Sequence, residues 1–449
     1  MRGLGLAGIV GRDRQDVAQW SLPMRLLALV PLCAVALACS SSAASPLVPP
    51  PCPSGTLCVS LASDATPQKV ADTFATAKKG QLILLGAGTF HVSNTLIVAA
   101  DQVTVRGAGL GKTILDFKGQ KAGSEGVFAE GVKDLVLESF TVRDTAGNGV
   151  KVLGSTGVTF RKLETRWTSE DASTHGPYGL YPVQSKNVLI EDCRAEGASD
   201  SGIYLGQSDH AVLRRNEAVG NVAGIEIENT FFADVYENDA HDNTGGILVF
   251  DLPGLPQLGG HDVLVHDNKI HGNNTRNFAP SGNIVGVIPR GTGFFVMANA
   301  NVEIFHNTFD DNLTAHAAII SYLVTEVPIK DPKYYPYPTK VYLHDNTFGP
   351  GGSLPDASKK IGILLATATG SFPNGVVPPV VYDGVEDPKL AGPTNPMQIC
   401  VQNGGVAFVN LHLDKLDPNK PDLPGIMSLD AKPYDCALPA LAPITFQGL

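Results

Sequence analysis

Two glutamates, Glu226 and Glu228, alternate with apolar residues in the segment AGIEIENT. On an extended strand they would lie on one face about 7 Å apart, because successive side chains point to opposite faces. Two carboxyls at that separation can act as a general acid and a general base around a water molecule. They can also bind a divalent cation such as calcium. Two solvated acids on a strand surface are the structural alternative.

The strand that holds these glutamates belongs to a repeat. A glycine followed by alternating apolar residues starts GVKV at Gly149, GLYP at Gly179, GIYL at Gly202, GIEI at Gly224, GILV at Gly246 and GFFV at Gly293. A second family of apolar segments lies between them and carries a recurrent asparagine at its turn, in Asn216, Asn238, Asn268, Asn307 and Asn346. A unit of about 22 residues with several short strands and no helix predicts an all-β solenoid, the right-handed parallel β-helix. In such a solenoid the asparagine amides form a ladder along the rod. Leucine-rich repeats do not fit, since their Leu-x-x-Leu-x-Leu pattern is missing.

Alignment of these strands predicts which side chains point outward. The residues one and three places after each glycine are almost all apolar and form the core. The residues two and four places after it form what we call the outward column: Lys151, Leu153, Tyr181, Val183, Tyr204, Gly206, Glu226, Glu228, Leu248, Phe250, Phe295 and Met297. Aromatic rings stack on sugars and phenol hydroxyls bond to sugar hydroxyls, so an exposed column of this kind can hold a glycan strand. The alternative is that these side chains only cover a flat sheet or lie under a loop.

This register supplies the candidate site residues. The candidate catalytic residues are Glu226, Glu228, Tyr181 and Tyr204, and the candidate substrate-binding residues are Lys151, Tyr178, Phe250, Asp251 and Arg290. Asp251 begins a Gly- and Pro-rich insertion that could fold over the column, and Arg290 could pair with a substrate carboxylate. His175 and His210 lie at turns and are weaker candidates. No metal motif is present, so we expect no cofactor, with calcium as the one ion that the glutamates could take.

Two resemblances extend this interpretation. The run YGLYPV, Tyr178 to Val183, resembles alginate C5-epimerases, in which the run reads Tyr-Gly-Phe-Asp-Pro-His. Tyr181 and Val183 replace the Asp and His, and valine cannot transfer a proton, so the resemblance does not imply the epimerase mechanism.

A longer run, from about Leu82 to Tyr322, resembles exported bacterial lipoproteins with two β-helix repeats, which belong to the pectate-lyase-like superfamily and have no established activity. This resemblance implies an envelope protein that binds polysaccharide or another exported protein. The alternative is a polysaccharide lyase, hydrolase or epimerase.

The termini and cysteines indicate export. Met24 and Arg25 precede the apolar run LLALVPLCAVALACSSS, which is typical of a signal peptide and ends at small residues. Cys39, within this run, is a candidate lipidation site. We therefore expect a lipid-anchored envelope protein, at the outer membrane, with translation starting at Met1 or Met24. Cys52 with Cys58 and Cys400 with Cys436 are candidate disulfides, whereas Cys193 lies in an apolar strand.

Net charge limits the candidate partners, and the sequence pattern predicts the domain organisation. The formal net charge of −11 disfavours nucleic acid and anionic membranes as main partners, and we expect a monomer. The predicted organisation is an upstream extension and signal peptide over 1–39, a linker over 40–65, the rod over 66–324, and final coils, insertions and a C-terminal cap over 325–449. A cap helix is expected within Thr66–Lys78, at the N-terminal end of the rod.

Overall fold

The chain folds into a solenoid of parallel strands. A computed structural model describes residues 48–390, 394–417, 419 and 422–447. Each coil of the solenoid contributes one strand to a first sheet and one or two strands to a second sheet, and every strand pairs in parallel with its counterpart in the next coil. The predicted all-β class and the parallel β-helix are confirmed.

The first sheet carries the glycine-led strands. It has 11 strands, which are Asn94–Val98, Ala122–Glu130, Val150–Leu153, Tyr178–Val183, Ser201–Gly206, Ala223–Glu228, Gly245–Phe250, Thr292–Met297, Ala315–Ile320, Val380–Tyr382 and Phe408–Asn410. Its register stacks Ile203 on Ile225, and Ile225 on Ile247, so that the apolar side chains one place after each glycine form a continuous column. These side chains are fully buried.

The second sheet has 20 strands in two rows. The first row contains Cys58–Leu61, Leu82–Leu85, Thr104–Arg106, Lys186–Glu191, Asp209–Arg214, Phe231–Tyr236, His261–His266, Ala300–Phe305, Thr339–His344 and Ile399–Gln402. The second row contains Gly88–His91, Thr113–Asp116, Arg194–Glu196, Glu217–Val219, Asp239–His241, Lys269–His271, Thr308–Asp310 and Thr347–Phe348. The long strands Lys133–Arg143 and Thr156–Arg166 pair in both rows and join them.

Two asparagine ladders stabilise the turns between strands. In the predicted ladder, Asn216 Nδ2 donates to Asn238 Oδ1 at 2.9 Å, and the same bond repeats through Asn268 and Asn307 to Asn346. A second ladder, which the sequence analysis missed, connects Asn221, Asn243, Asn273 and Asn312. Each of these amides also donates to a backbone carbonyl, as Asn238 Nδ2 does to Leu213 O at 3.0 Å. The buried turns are thereby hydrogen-bonded, which avoids the cost of unpaired buried polar groups.

Short helices occupy the ends and insertions. The N-terminal cap helix is Pro67–Ala75, whose Val70 and Phe74 are fully buried against the core. The other α-helices are Lys360–Ala368 and Leu423–Ile426, and the 3₁₀ turns are Ala172–Thr174, Ile284–Val287, Tyr322–Thr325, Thr369–Ser371, Pro373–Gly375, Pro388–Leu390, Leu413–Lys415 and Lys432–Tyr434. Among the described residues, no helix has the length and apolar composition needed to cross a membrane.

The observed rod begins before the predicted boundary at residue 66. Cys58–Leu61 lies in the predicted linker 40–65 but pairs with Leu82–Leu85 as the first strand of the rod. Strands within 325–449, the range predicted to hold final coils, insertions and a C-terminal cap, continue both sheets as far as Phe408–Asn410. Insertions such as the helix Lys360–Ala368 interrupt the spacing of the repeat in that range.

One intrachain disulfide lies near each end of the rod. The structure joins Cys52 to Cys58 and Cys400 to Cys436, the two pairs that the sequence suggested, and Cys193 is a buried free thiol. After Cys436 the chain returns along the second sheet. Leu441 N donates to Glu303 Oε2 at 2.7 Å, and Gln447 N donates to Asn187 Oδ1 at 2.9 Å.

Candidate functional site

The outward column divides into a covered half and an open half. Strand pairing aligns Lys151 with Tyr181 and Tyr204 with Glu226, as the predicted register requires. The expected exposure is wrong for the later coils. Leu248, Phe250, Phe295 and Met297 are at most 5% exposed.

Two insertions cover this half. Leu252 from the insertion after Phe250, and Phe278 and Ile288 from the insertion before Thr292, pack with Leu248 and Phe295 in one apolar cluster. The insertions differ in sequence from the coils, so the repeat alone does not reveal that they fold over the sheet. Burial of this apolar surface stabilises the rod, and it removes these side chains from contact with a ligand.

The open half forms a cleft of about 670 Å³. It is lined on the sheet side by Lys151, Leu153, Pro177, Tyr178, Tyr181, Val183, Gln184, Asp200, Tyr204, Gln207 and Glu228, and on the insertion side by Leu252, Leu255, Asn283 and Ile284. The edge of the insertions therefore forms one wall. The cleft brings together Lys151, Tyr178, Tyr181, Tyr204 and Glu228 of the residues named from the sequence.

Three tyrosines form the aromatic part of the cleft. The ring centroids of Tyr178 and Tyr181 are 4.4 Å apart, and each lies 4.8 Å from the centroid of Tyr204. Tyr178 and Tyr181 are half-buried, whereas Tyr204 is only 3% exposed. Lys151 Nζ lies 5.2 Å from the Tyr181 ring centroid, within the range of a cation–π contact. Burial raises the pKa of Tyr181 to about 12, with a smaller contribution from Glu228.

Gly206 allows Tyr204 to lie over its own strand. A Cβ atom at position 206 would clash with the ring and the hydroxyl of Tyr204. Without it, Tyr204 Oη reaches the next coil and donates to Glu228 Oε1 at 2.6 Å. Gln207 Nε2 donates to the same carboxylate oxygen at 3.1 Å. Glu228 is thereby fixed by two neutral donors.

Glu226 lies behind Glu228 and shares a hydrogen bond with it. Glu226 is 1% exposed, and its Oε2 has no partner that could donate a hydrogen bond. Burial, followed by the charges of Asp200 and Glu228, raises the pKa of Glu226 well above its usual range. Burial also raises the pKa of Glu228, while the bonds from Tyr204, Gln207 and Glu226 oppose that rise. The two carboxyls therefore form a hydrogen-bonded pair in which the pKa of Glu226 is raised by burial, by nearby charges and by its bond to Glu228, whereas that bond opposes the rise at Glu228.

Asp200 is a third carboxyl in the cleft, and the sequence analysis missed it. It is 4% exposed, accepts a hydrogen bond from Asn283 Nδ2 at 2.7 Å, and is bonded to the side chain of Tyr178. Burial raises the pKa of Asp200 to about 7, the charge of Glu228 adds to the rise, and the bonds from Tyr178 and Asn283 oppose it. Asp200 stands just before the strand Ser201–Gly206, outside the outward column. The polar turn ASDSG, which precedes a glycine-led strand, is the sequence feature that could have indicated Asp200.

This arrangement can transfer protons near neutral pH. A carboxyl whose pKa lies near 7 can both accept and donate a proton at that pH, which is the usual property of a general acid or base. Among the residues that the structure describes, no group of three or more His, Cys, Asp or Glu side chains has the geometry to hold a metal ion. Calcium binding by Glu226 and Glu228 stays a prediction.

Three predicted binding residues lie outside the cleft. Phe250 is 1% exposed and packs at right angles to Phe295 under the insertions. The Asp251 carboxylate accepts hydrogen bonds from the backbone N–H of Gly260 at 2.8 Å and of Gly259, so it closes the first insertion. Burial raises the pKa of Asp251 to about 6. Arg290 is exposed and contacts Asp356 through its backbone N–H. Burial under the insertions contradicts the assignment of Phe250 and Asp251 to substrate binding, which assumed that the column stays open, whereas a binding role for the exposed Arg290 stays a prediction.

The two weaker histidine candidates also lie elsewhere. The His175 ring nitrogens contact Gly197 O at 2.6 Å and Ser169 O at 2.9 Å, which fixes a turn. His210 contacts Asp209 on the second sheet.

Comparison with known proteins supports the same fold. Residues 103–254 match the family described as the right handed beta helix region. No curated protein sequence matches the chain significantly. Among solved structures, the A-module of a mannuronan C-5 epimerase from Azotobacter vinelandii is 16% identical with a TM-score of 0.48, covering 72% of this chain and 88% of that one. The N-terminal fragment of bacteriophage phi29 gene product 12 is 14% identical with a TM-score of 0.47, covering 77% and 59%.

A third solved structure is the DFA-IIIase of Arthrobacter chlorophenolicus A6, which is 12% identical with a TM-score of 0.42 and covers 60% of this chain and 79% of that one. The parallel pairing of the coils, together with the family match over residues 103–254, gives the fold of the chain as a right-handed parallel β-helix.

Proposed function

We propose that this protein binds a glycan chain in the cleft of the first sheet. The observation that carries the proposal is the half-buried pair Tyr178 and Tyr181, whose rings line an open cleft of about 670 Å³ beside polar side chains. Aromatic rings bury the apolar face of a sugar, and the neighbouring Gln184 and Gln207 offer hydrogen bonds to its hydroxyls.

The length of the cleft also suits a chain rather than a single sugar. Lys151, Tyr181, Tyr204 and Glu228 come from four successive coils. Coils stack at about 4.8 Å, so these side chains extend over roughly 14 Å along the rod. A surface of that length accommodates a short stretch of polysaccharide lying along the rod axis.

A glycan-binding screen with the purified protein tests this proposal. Tyr181→Ala should weaken binding by about tenfold, because loss of one stacked ring removes roughly 1 kcal/mol or more. Tyr236→Ala is the matched control, since Tyr236 lies on the second sheet and stacks on His266. Equal effects of the two substitutions, or no binding to any glycan, would contradict the proposal.

A second candidate function is catalysis on the bound glycan, as a lyase, hydrolase or uronate epimerase. The observation that favours it is the hydrogen-bonded carboxyl pair Glu226 and Glu228 beside Asp200, since burial raises the pKa of all three groups and raises that of Asp200 to about 7. In this candidate, Asp200 and Glu228 exchange protons with the substrate, Tyr204 orients Glu228, and Glu226 holds the reserve proton. Uncompensated buried carboxyls destabilise a fold, and such groups concentrate at functional sites.

Turnover assays separate the two candidates. New unsaturated ends, reducing ends or inverted uronates that disappear in Glu228→Gln would identify an enzyme. Its rate should change with pH around 7, and Asp200→Asn should remove that inflection. Binding that persists in both variants without turnover would identify a carbohydrate-holding rod.

We also propose that the protein acts outside the cytoplasm as a lipid-anchored envelope protein. The support is the apolar run that ends at Cys39, which lies outside the described residues, and the two disulfides, which are typical of oxidising compartments. Metabolic labelling with palmitate should mark the wild-type protein but not Cys39→Ser. Fractionation of the cell envelope tests the outer-membrane location.

A further inference from the structure

The cleft contains more acidic groups than basic groups. Among the described residues that line it, the carboxyls are Asp200 and Glu228 and the one basic side chain is Lys151; Glu226 interacts with Glu228 but does not line the cleft. Glu125 acts electrostatically on Tyr181, and Asp251 acts on Glu228, so the nearby charges add to the acidity. Lys151 lies over the Tyr181 ring.

The cleft carboxyls accept hydrogen bonds from neutral donors only. Asp200 is bonded to Asn283 and Tyr178, and Glu228 is bonded to Tyr204 and Gln207. Among the residues that the structure describes, no Lys, Arg or His nitrogen lies within 4.0 Å of either carboxyl or of Glu226. A buried carboxylate without a cationic partner is costly, and a positively charged ligand group would remove that cost.

One buried oxygen in this group also lacks a partner. Glu226 Oε2 has no hydrogen-bond partner, and Glu226 interacts with Glu228, which lines the cleft. A cation bound by Glu228 would stabilise the negative charge of the pair. The unpaired oxygen is one more buried polar atom of this acidic group that the protein itself leaves without a hydrogen bond.

We infer that the glycan held in this cleft carries amino groups, and that Asp200 and Glu228 select it over neutral glycans and over uronates. The inference rests on the proposed function. An ammonium group has three N–H donors and no acceptor, so it can bond to both carboxyls in a region of low dielectric. A uronate would bring a further carboxylate against Asp200 and Glu228, with Lys151 as the only opposite charge lining the cleft.

Three oligosaccharides of equal length test this inference. We would measure Kd at pH 7 for oligoglucosamine, for its N-acetylated form and for oligogalacturonate. At that pH the amine and Asp200 form an ion pair when they hold one proton between them and that proton is on the amine. Oligoglucosamine should bind about tenfold or more tightly than the N-acetylated form, and oligogalacturonate should bind most weakly.

Two substitutions identify the source of the preference. Asp200→Asn and Glu228→Gln keep the shape of each side chain and should each reduce the preference for the amine several-fold, measured as the ratio of Kd for the N-acetylated form to Kd for the amine. Asp209→Asn is the matched control, because Asp209 lies on the second sheet and its loss changes the net charge equally. The control matters because the formal net charge of −11 attracts any polyamine weakly.

The possible failures are distinguishable. Tightest binding of oligogalacturonate, or equal binding of the amino and N-acetylated forms, overturns the inference and leaves the proposed glycan cleft intact. A preference for the amine that falls equally in Asp209→Asn also overturns it, because the attraction would then come from net charge. Failure of all three oligosaccharides to bind overturns the proposed function as well.

Discussion

Two groups of buried acids in the same rod have opposite surroundings. On the second sheet, the Glu191 carboxylate accepts hydrogen bonds from Arg161, Arg214 and Arg215 at 2.6 to 2.9 Å. Burial alone would raise the pKa of Glu191, but the bonds from Arg161 and Arg214 lower it to about 2. In the cleft, burial raises the pKa of Asp200 to about 7 and that of Glu226 above its usual range.

The difference separates acids that stabilise the rod from acids that are available for binding. Glu191 and Glu226 both lie on pleated strands of stacked coils, so backbone geometry does not distinguish them. What distinguishes them is whether the adjacent coils supply a cation. Arg161 and Arg214 are the strand neighbours of Glu191, whereas the neighbours of Glu226 are Tyr204 and Leu248.

Removal of the paired acid should have the largest effect on stability. Glu191→Gln leaves three arginines around a neutral side chain, so we expect the free energy of unfolding to fall by about 2 kcal/mol. This is less than the loss for a fully buried ion pair, because the arginines are half-exposed and water screens their charges. Urea unfolding at pH 7 measures it. An unchanged midpoint would show that this network contributes no more than surface ion pairs do.

The same contrast predicts opposite pH dependences. The folded-state pKa of Glu191 lies below its usual value, so its stabilising contribution is present above about pH 4.5 and is lost as pH falls toward 2. The folded-state pKa of Asp200 lies above its usual value of 3.8, so its contribution is present at low pH and is lost as pH rises toward 7. Asp200→Asn should therefore flatten the fall in stability between about pH 4 and 7. A steeper fall in that variant would contradict the raised pKa.

Loss of the buried Glu226 carboxyl should have little effect on stability. Glu226→Gln keeps a donor toward Glu228 and removes a buried carboxyl without a cationic partner, so we expect a change within about 1 kcal/mol, in the stabilising direction. Thermal unfolding at pH 7 measures it, with Glu191→Gln as the comparison. Strong destabilisation would mean that Glu226 has a cationic partner in the folded protein.

The repeat allowed the fold of the rod and the alignment of several cleft residues to be predicted from the sequence. Glycine spacing gave the parallel β-helix, the inward apolar column, the first asparagine ladder and the alignment of Lys151, Tyr181 and Tyr204. These features depend on residues one coil apart, which the period of the repeat places side by side.

Contacts made by the insertions between coils could not be predicted from the repeat. The cover over Phe250 comes from insertions whose path depends on apolar contacts with the sheet rather than on spacing. Asp200 and Asn283 are 83 residues apart, and only the folded insertion brings them within hydrogen-bond distance. Arg290 was assigned by residue type alone, and its backbone N–H is bonded to Asp356, 66 residues away.

A protonated histidine on the second sheet acts as the cationic partner of neighbouring acids, and it loses that charge as pH rises. His266 Nε2 contacts Asp234 at 3.0 Å and Nδ1 contacts Asp267 at 2.7 Å, while its ring stacks between Tyr236 and Phe305. Burial lowers the pKa of His266, but the hydrogen bonds that its ring donates to Asp234 and Asp267 outweigh this effect, so the pKa is raised above its ordinary value of 6.5.

This raised pKa predicts the smallest effect. The contribution of His266 is fully present below pH 6.5 and is lost as pH rises through its folded-state pKa, leaving Asp234 without a cation, as Glu228 is in the cleft. His266→Gln should reduce stability by less than about 1 kcal/mol at pH 6 and by still less at pH 9. Urea unfolding at both pH values measures the difference. A larger loss at pH 9 would mean that His266 acts through stacking of the neutral ring, and the second sheet would then not depend on charge pairing at this position.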